Sequence, residues 1–197
     1  MSPWSPLLRL SFVTASPDRQ LLLDARALSR TLQRMALDIL RQTADPQRLV
    51  LVGIQRRGVE LAARLAALIG KEAGGAVALG ALDITLYRDD LETVGPRPVV
   101  GKTDLPVDLE GRHVWIVDDV LFTGRTIRAA LDELADFGRP ARIGLAVLVD
   151  RGGRELPIQA DVVGETARVE PKHRVEVFVS ELDGRDAVEI AYARRPA

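Results

Sequence analysis

Apolar positions along this chain switch between a helical and a strand period. After Asp24, a natural N-cap, Leu28, Leu32, Met35, Ala36, Ile39 and Leu40 recur at spacings of three and four, which predicts an amphipathic helix. RLVLVGI (48–54) is nearly all apolar and rich in β-branched residues, as a strand covered on both faces requires. GVELAARLAALIG returns to the helical period and is expected to stop at Gly70. AVALGALDITLYR is the next strand region, and DDLETVGPRPVVGKTDLP reads as a polar connection punctuated by Pro and Gly. A connection that long in a compact domain is usually functional or mobile. Then come a strand at 113–118, a loop at 119–125, the helix TIRAALDELADFG and the strand ARIGLAVLVD. RVEVFVSEL and AVEIAY alternate, so they read as late strands with one exposed face.

Buried strands alternating with helices imply an α/β fold, a mostly parallel twisted sheet with helices on both faces. Ligands of such sheets bind at the carboxyl ends of the strands, and each unusual polar cluster of the chain falls at such an end. The 197 residues suggest one domain, 24–197, preceded by an extension at 1–23 that holds three prolines and lies on the body or is partly mobile.

Composition narrows the class. Hydrophobic residues at 47% and charged residues at 28% describe a soluble globular protein. The net charge of -1 provides no overall positive field, so any nucleic-acid binding must rest on a local basic patch. The absence of cysteine excludes disulfides, thiolate zinc sites and a cysteine nucleophile, which fits a cytoplasmic enzyme. No apolar run approaches the ~20 residues of a membrane span, so no membrane partner is expected. MSPWSPLLRLSFV lacks the basic start and long apolar core of a signal peptide.

The most informative stretch is VWIVDDVLFTGRT, 114–126. A buried strand ends in Asp118 and Asp119, and Thr123, Gly124 and Thr126 then lead into a helix. Such a turn aims backbone N–H groups, two hydroxyls and a helix dipole at one point, which makes a phosphate cradle. It lacks the Gly-x4-Gly-Lys spacing of a Walker loop. A carboxylate pair beside a phosphate repels a second phosphate but accepts hydrogen bonds from a vicinal diol. A 5-phosphorylated ribose offers both groups at about that separation. Two aspartates alone would equally well cap a helix; the whole string argues for the sugar phosphate.

This string resembles the phosphoribosyl-pyrophosphate (PRPP) signature of type I phosphoribosyltransferases. The resemblance implies that family's fold, with a small hood (about 150–185 plus N-terminal residues) and a mobile lid loop (about 88–108). It assigns Asp118 and Asp119 to the ribose hydroxyls and Val120, Leu121, Phe122, Thr123, Gly124, Arg125 and Thr126 to the 5-phosphate loop. GIQRRGVELA is similar to the family's pyrophosphate loop, with Arg56 and Arg57 on the departing diphosphate, where fixed cations lower the barrier. In DITLYRDDL, Arg88 and Asp89 would ride on the lid and close over the diphosphate, excluding water. Both segments also have bland readings, a basic turn and a salt-linked loop edge.

The acceptor base needs its own argument. Purine-salvage members carry an aspartate just before Thr-Gly, where this chain has Phe122, which cannot shuttle a proton. Orotate members use a lysine-rich loop, and here the loop has only Lys102, with Arg88 and Arg97. LVGIQRRG, DITLYRDDL, VDDVLFTGRT and FGRPARIGLAVLVDRGGRELPIQAD instead resemble, from about 20 to 182, the family members that regulate pyrimidine operons and act as uracil phosphoribosyltransferases. That resemblance implies uracil plus PRPP giving UMP and diphosphate. Mg2+ would be held mainly by the donor, with possible help from Asp118 and Asp119 and no dedicated protein site. Val162 and Val163 would lie at the base pocket, and Arg139 would touch the nucleotide. His113 and His173 read as strand-edge or surface residues.

The same resemblance implies a homodimer or higher homo-oligomer, and UMP-dependent binding of a pyrimidine operon leader RNA through a basic face. Arg26, Arg30, Arg34 and Arg41 step by four, four and seven along the first helix and share a face, and Arg151 and Arg154 would extend it. Where relatives tend to carry basic or histidine residues, this chain has Gly153, Gln159 and Glu165.

Overall fold

Asp24 caps the first helix as its residue type requires, accepting the Ala27 N–H at 2.7 Å, in a computed structural model that describes residues 18–84, 103–105 and 107–193. Strand β1 spans Arg19–Leu23, α1 Ala25–Arg41, β2 Leu49–Ile54, α2 Arg57–Ala73 and β3 Ala78–Leu82. β4 spans His113–Leu121, α3 Arg125–Leu134, β5 Arg142–Asp150, β6 Val162–Thr166, β7 Arg174–Phe178, α4 Ser180–Asp183 and β8 Ala187–Ala191. The helix expected to end at Gly70 runs on to Ala73. Gly74 is left-handed (φ 73°), which lets the Gly75 N–H reach back to the Gly70 carbonyl at 3.1 Å.

The five-stranded sheet has the order β3-β2-β4-β5-β6 and is parallel throughout. Its strands are apolar on both faces because both are covered. Leu49, Leu51, Trp115, Val117, Ala146 and Leu148 pack under α1 and α2. Val50, Val52, Val114, Ile116, Leu145 and Val147 pack under α3. A second, antiparallel sheet of three strands has the order β1-β8-β7. Residues 19–23, read from sequence as part of an extension, thus contribute a strand, and 180–182, read as strand, fall in the short helix α4. Arg64 of α2 fastens this smaller sheet to the body through Glu181 (2.6 Å) and Asp186 (2.8 Å).

Two glycines bring the start of α2 against β2 and β4. A Cβ on Gly53 would lie 2.4 Å from the Cα of Val59, and one on Gly58 would lie 2.5 Å from the carbonyl oxygen of Val117. Only glycine permits this approach, which sets Arg57 beside the end of β4. Gly58→Ala is therefore expected to cost about 1–3 kcal/mol through overpacking. At roughly 2–4 °C per kcal/mol for a domain this size, a thermal melt resolves that loss. An unchanged melting temperature would mean that α2 is not pinned there.

At the other edge, Ala81 and Asp104 exchange two backbone hydrogen bonds (2.8 and 2.9 Å). Thr103 Oγ1 accepts the Asp83 N–H at 3.1 Å and donates to Glu133 of α3. The two ends of the intervening segment are thereby held together beside α3.

Candidate active site

β4 runs three residues past the expected end of its strand, so Asp118 and Asp119 are strand residues, as shown by the pairing of Asp118 with Val147 and of Leu121 with Asp150. Consecutive strand residues face opposite ways, and the two acids differ accordingly. Asp118 is only 6% exposed, and its Oδ1 accepts the Asp119 N–H at 2.9 Å. Asp119 accepts the Val120 N–H at 2.8 Å and opens onto a cavity of about 350 Å³ bounded by Arg57, Val175, Glu176, Val177 and Phe178. That volume lies in the range of small-molecule sites. Burial pushes the Asp119 carboxyl above the usual aspartate range, against the opposing pull of Val120 N–H and Arg57.

Arg57 opens α2 and grips Asp183 with two bonds, Nε at 3.2 Å and Nη2 at 2.9 Å. Asp183 also accepts the Val179 N–H at 2.9 Å. This fork raises the guanidinium further above its ordinary value and holds Asp183 below the usual range, so both are charged at neutral pH. Arg56 is exposed as the N-cap of α2, after a cis Gln55–Arg56 peptide. It does not border the cavity with Arg57.

The turn after β4 is firmly held. Gly124 takes a left-handed conformation (φ 93°), and as N-cap of α3 it has no side chain to close the helix end. The first-turn N–H groups of α3 therefore point toward any anion seated there. Thr123 Oγ1 accepts the Arg125 N–H at 3.3 Å, and its carbonyl accepts from Glu155 (3.0 Å) and Leu156 (3.1 Å). Arg125 pairs with Glu155 at 2.8 Å, and Thr126 is half-buried in the first turn of α3.

Several sequence-based assignments fall elsewhere. Arg139 lies at the amino ends of the strands, where its N–H meets Glu110 (3.1 Å) and its carbonyl meets Gly111 (3.0 Å). That is the opposite end of β4 from Asp119, so within one chain it does not reach the cavity. Val162 is buried in the core, and the Val163 carbonyl already accepts from Arg34 at 3.2 Å; neither borders the cavity. Arg30 stays exposed on α1 with Arg26, whereas Arg34 and Arg41 both engage Asp38 (3.4 and 2.8 Å). Arg154 spends its guanidinium on Ile158 O (2.9 Å), Phe122 O (2.9 Å) and Asp150 (2.6 Å). Arg151 is buried. These two therefore do not extend a solvent-facing basic stripe. Arg88 and Asp89, with most of the expected lid, lie outside the described residues.

Sequence reading gave β7 as a strand but assigned it no part in the site; its residues Val175–Phe178 form one wall of the cavity. Nothing in RVEVFV marks it beyond alternation. β7 ends the three-stranded sheet, so one row of its N–H and C=O groups has no strand partner among the described strands.

Comparison with known proteins fits this geometry. The family described as "Phosphoribosyl transferase domain" matches residues 19–182. Among curated proteins, the "Bifunctional protein PyrR" of Chloroflexus aurantiacus is 55% identical over 169 residues, 86% of this chain and 93% of that one. That of Thermus aquaticus is 52% identical with the same coverage. Among solved structures, a hypoxanthine-guanine phosphoribosyltransferase from Bacillus anthracis superposes with a TM-score of 0.65 at 20% identity, over 88% of this chain and 98% of that one. The hypoxanthine phosphoribosyltransferase of Trypanosoma cruzi gives 0.64 at 19% identity, over 89% and 97%. At that identity they speak for the fold alone. A glycine-capped helix start after β4, an acid and an arginine sharing one cavity, and PyrR proteins sharing about half of their residues with this chain lead to one conclusion: the chain belongs to the phosphoribosyltransferase family and, within it, to the PyrR group.

Proposed function

We propose that the protein transfers the phosphoribosyl group of PRPP to uracil, giving UMP and diphosphate, and that it regulates pyrimidine synthesis by binding an operon leader RNA when UMP is present. The observation that carries the catalytic half is Asp119 and Arg57 meeting in one cavity walled by β7. In this reading the 5-phosphate sits on the first turn of α3 and Asp119 accepts from the ribose hydroxyls. Arg57 faces the diphosphate, whose oxygens gain charge as the C1–O bond breaks. The lid assignment of Arg88 and Asp89 is part of the same proposal.

Uracil presents an acceptor, a donor and an acceptor along one edge, which an unpaired strand edge such as that of β7 matches with backbone groups alone. We therefore assign the acceptor base to Val175–Phe178 rather than to Val162 and Val163. No side-chain base is required, since positioning and charge stabilisation drive the step. Two carboxylates, one of them buried, make a partial set of hard oxygen donors, which suits a Mg2+ ion that arrives on the donor's own oxygens. When bound, the ion neutralises diphosphate charge. A homodimer, a cytoplasmic setting and an RNA contact through Arg26 and Arg30 complete the proposal.

The test is an acceptor panel. Protein, Mg2+ and labelled PRPP are incubated with uracil, hypoxanthine or orotate in parallel, and leader-hairpin retention is measured with and without UMP. UMP formation from uracil alone, with UMP-dependent retention, is expected. Hypoxanthine turnover would overturn the assignment of the base, and retention indifferent to UMP would overturn the regulatory half.

A further inference from the structure

Arg151, the residue after β5, is 9% exposed. Its guanidinium carbon lies 3.8 Å from the centre of the Phe122 ring, in the phosphate turn. Its Nη2 donates to the carbonyls of Glu170 (3.3 Å), Pro171 (2.9 Å) and His173 (2.7 Å), the segment that leads into β7. Its own N–H donates to Leu121 at 3.0 Å, just before the turn. Nε is buried without a partner among the described residues. Burial and the nearby Arg174 lower its pKa. A cation in this place, offset by carbonyls and a ring face, costs stability relative to a well-packed apolar side chain.

Gly153 belongs to the same arrangement. It is left-handed (φ 77°), and a Cβ there would lie 2.5 Å from the Phe122 ring. The glycine leaves the ring free to lie under Arg151.

We propose that Arg151 is a positioning residue that locks the phosphate turn and the β7 edge into one register, so that seating the 5-phosphate also sets the acceptor base pocket. The inference deepens the functional reading above and rests on it. One side chain touches both halves: a planar face on Phe122, and N–H donors on the lead-in to β7. Lysine keeps the charge but has neither the flat face nor the fork.

The experiment compares UMP with uridine, which lacks the phosphate, as binding probes of wild type, Arg151→Lys, Phe122→Leu and the double variant, with melting temperatures and kcat and KM for PRPP and uracil. The ratio of uridine to UMP dissociation constants is expected to shrink by about tenfold in Arg151→Lys, the size of a coupling between contacting residues. KM for both substrates rises in parallel, and Phe122→Leu adds little in the double variant. A lower melting temperature with the ratio and both KM values unchanged would overturn the inference, as would additive effects of the two substitutions. Should Arg151→Lys fold poorly, Phe122→Leu alone decides, since removing the ring must shrink the same ratio. Wild-type protein that forms no UMP from uracil would overturn the functional reading and this inference with it. Wild-type turnover with an unchanged ratio in Arg151→Lys overturns the inference alone.

Discussion

Replacing Asp119 with asparagine is expected to lower turnover at least ~10²-fold while raising the melting temperature at neutral pH. The two effects have one cause. Asp119 lines the cavity, and desolvation there holds its carboxyl above the usual aspartate range. In the unfolded chain the group titrates normally. Its contribution to stability is therefore fully present below the unfolded value and lost as pH rises through the folded one. At neutral pH the folded protein holds this group where its charged form is less well solvated than in the unfolded chain. Asparagine removes that penalty, and it also removes the charge that orients the ribose hydroxyls. The stability gain should fade on acidification, as the wild-type carboxyl takes up its proton. Steady-state turnover with thermal melts at several pH values checks both halves. Near-normal turnover would remove Asp119 from the site, and a melting point that falls at neutral pH would contradict the burial argument.

The second large effect is expected at Arg57. Arg57→Met should reduce kcat/KM for PRPP by about 10²–10³-fold, the loss seen when one preorganised donor to developing charge is deleted. Arg56→Met, at an exposed N-cap, should cost much less, because only Arg57 shares the cavity with Asp119. Arg57 is half committed to Asp183, which aims it rather than neutralising it: the fork uses Nε and Nη2. Single-turnover rates for the two variants separate these roles. Equal losses would mean that the pair acts as a diffuse positive field rather than through one aimed group.

How much of this was readable in the chain depends on what the physics constrains locally. The turn at 118–126 was legible because few residues satisfy its demands. A left-handed N-cap wants glycine, an anion seat wants hydroxyls, and a diol wants an acid. The core helices and strands were legible from their period. β7 was legible as a strand but not as a wall of the site, because VEVF reads like any half-buried strand; its role comes from ending the β1-β8-β7 sheet, a fact of long-range pairing. Asp183 was equally silent, one acid in a short polar turn until α4 carries it to Arg57. Arg139 misled because closeness to the signature in sequence says nothing about which end of a strand a loop occupies. Arg151 misled for a different reason: arginine is expected in water, and here a ring and three carbonyls hold it inside. The acid pair looked symmetric on paper, but the pleat of β4 separates it into one buried and one cavity-facing group.

The rung between Ala81 and Asp104, with Thr103 tied to both Asp83 and Glu133, bears on how the family can vary. Because the stem is closed by its own bonds, the chain joining its two sides can change length without disturbing the sheet. Closing a loop twice as long costs only about 0.6 kcal/mol more. Additions or deletions in that excursion can therefore be absorbed while its socket stays fixed.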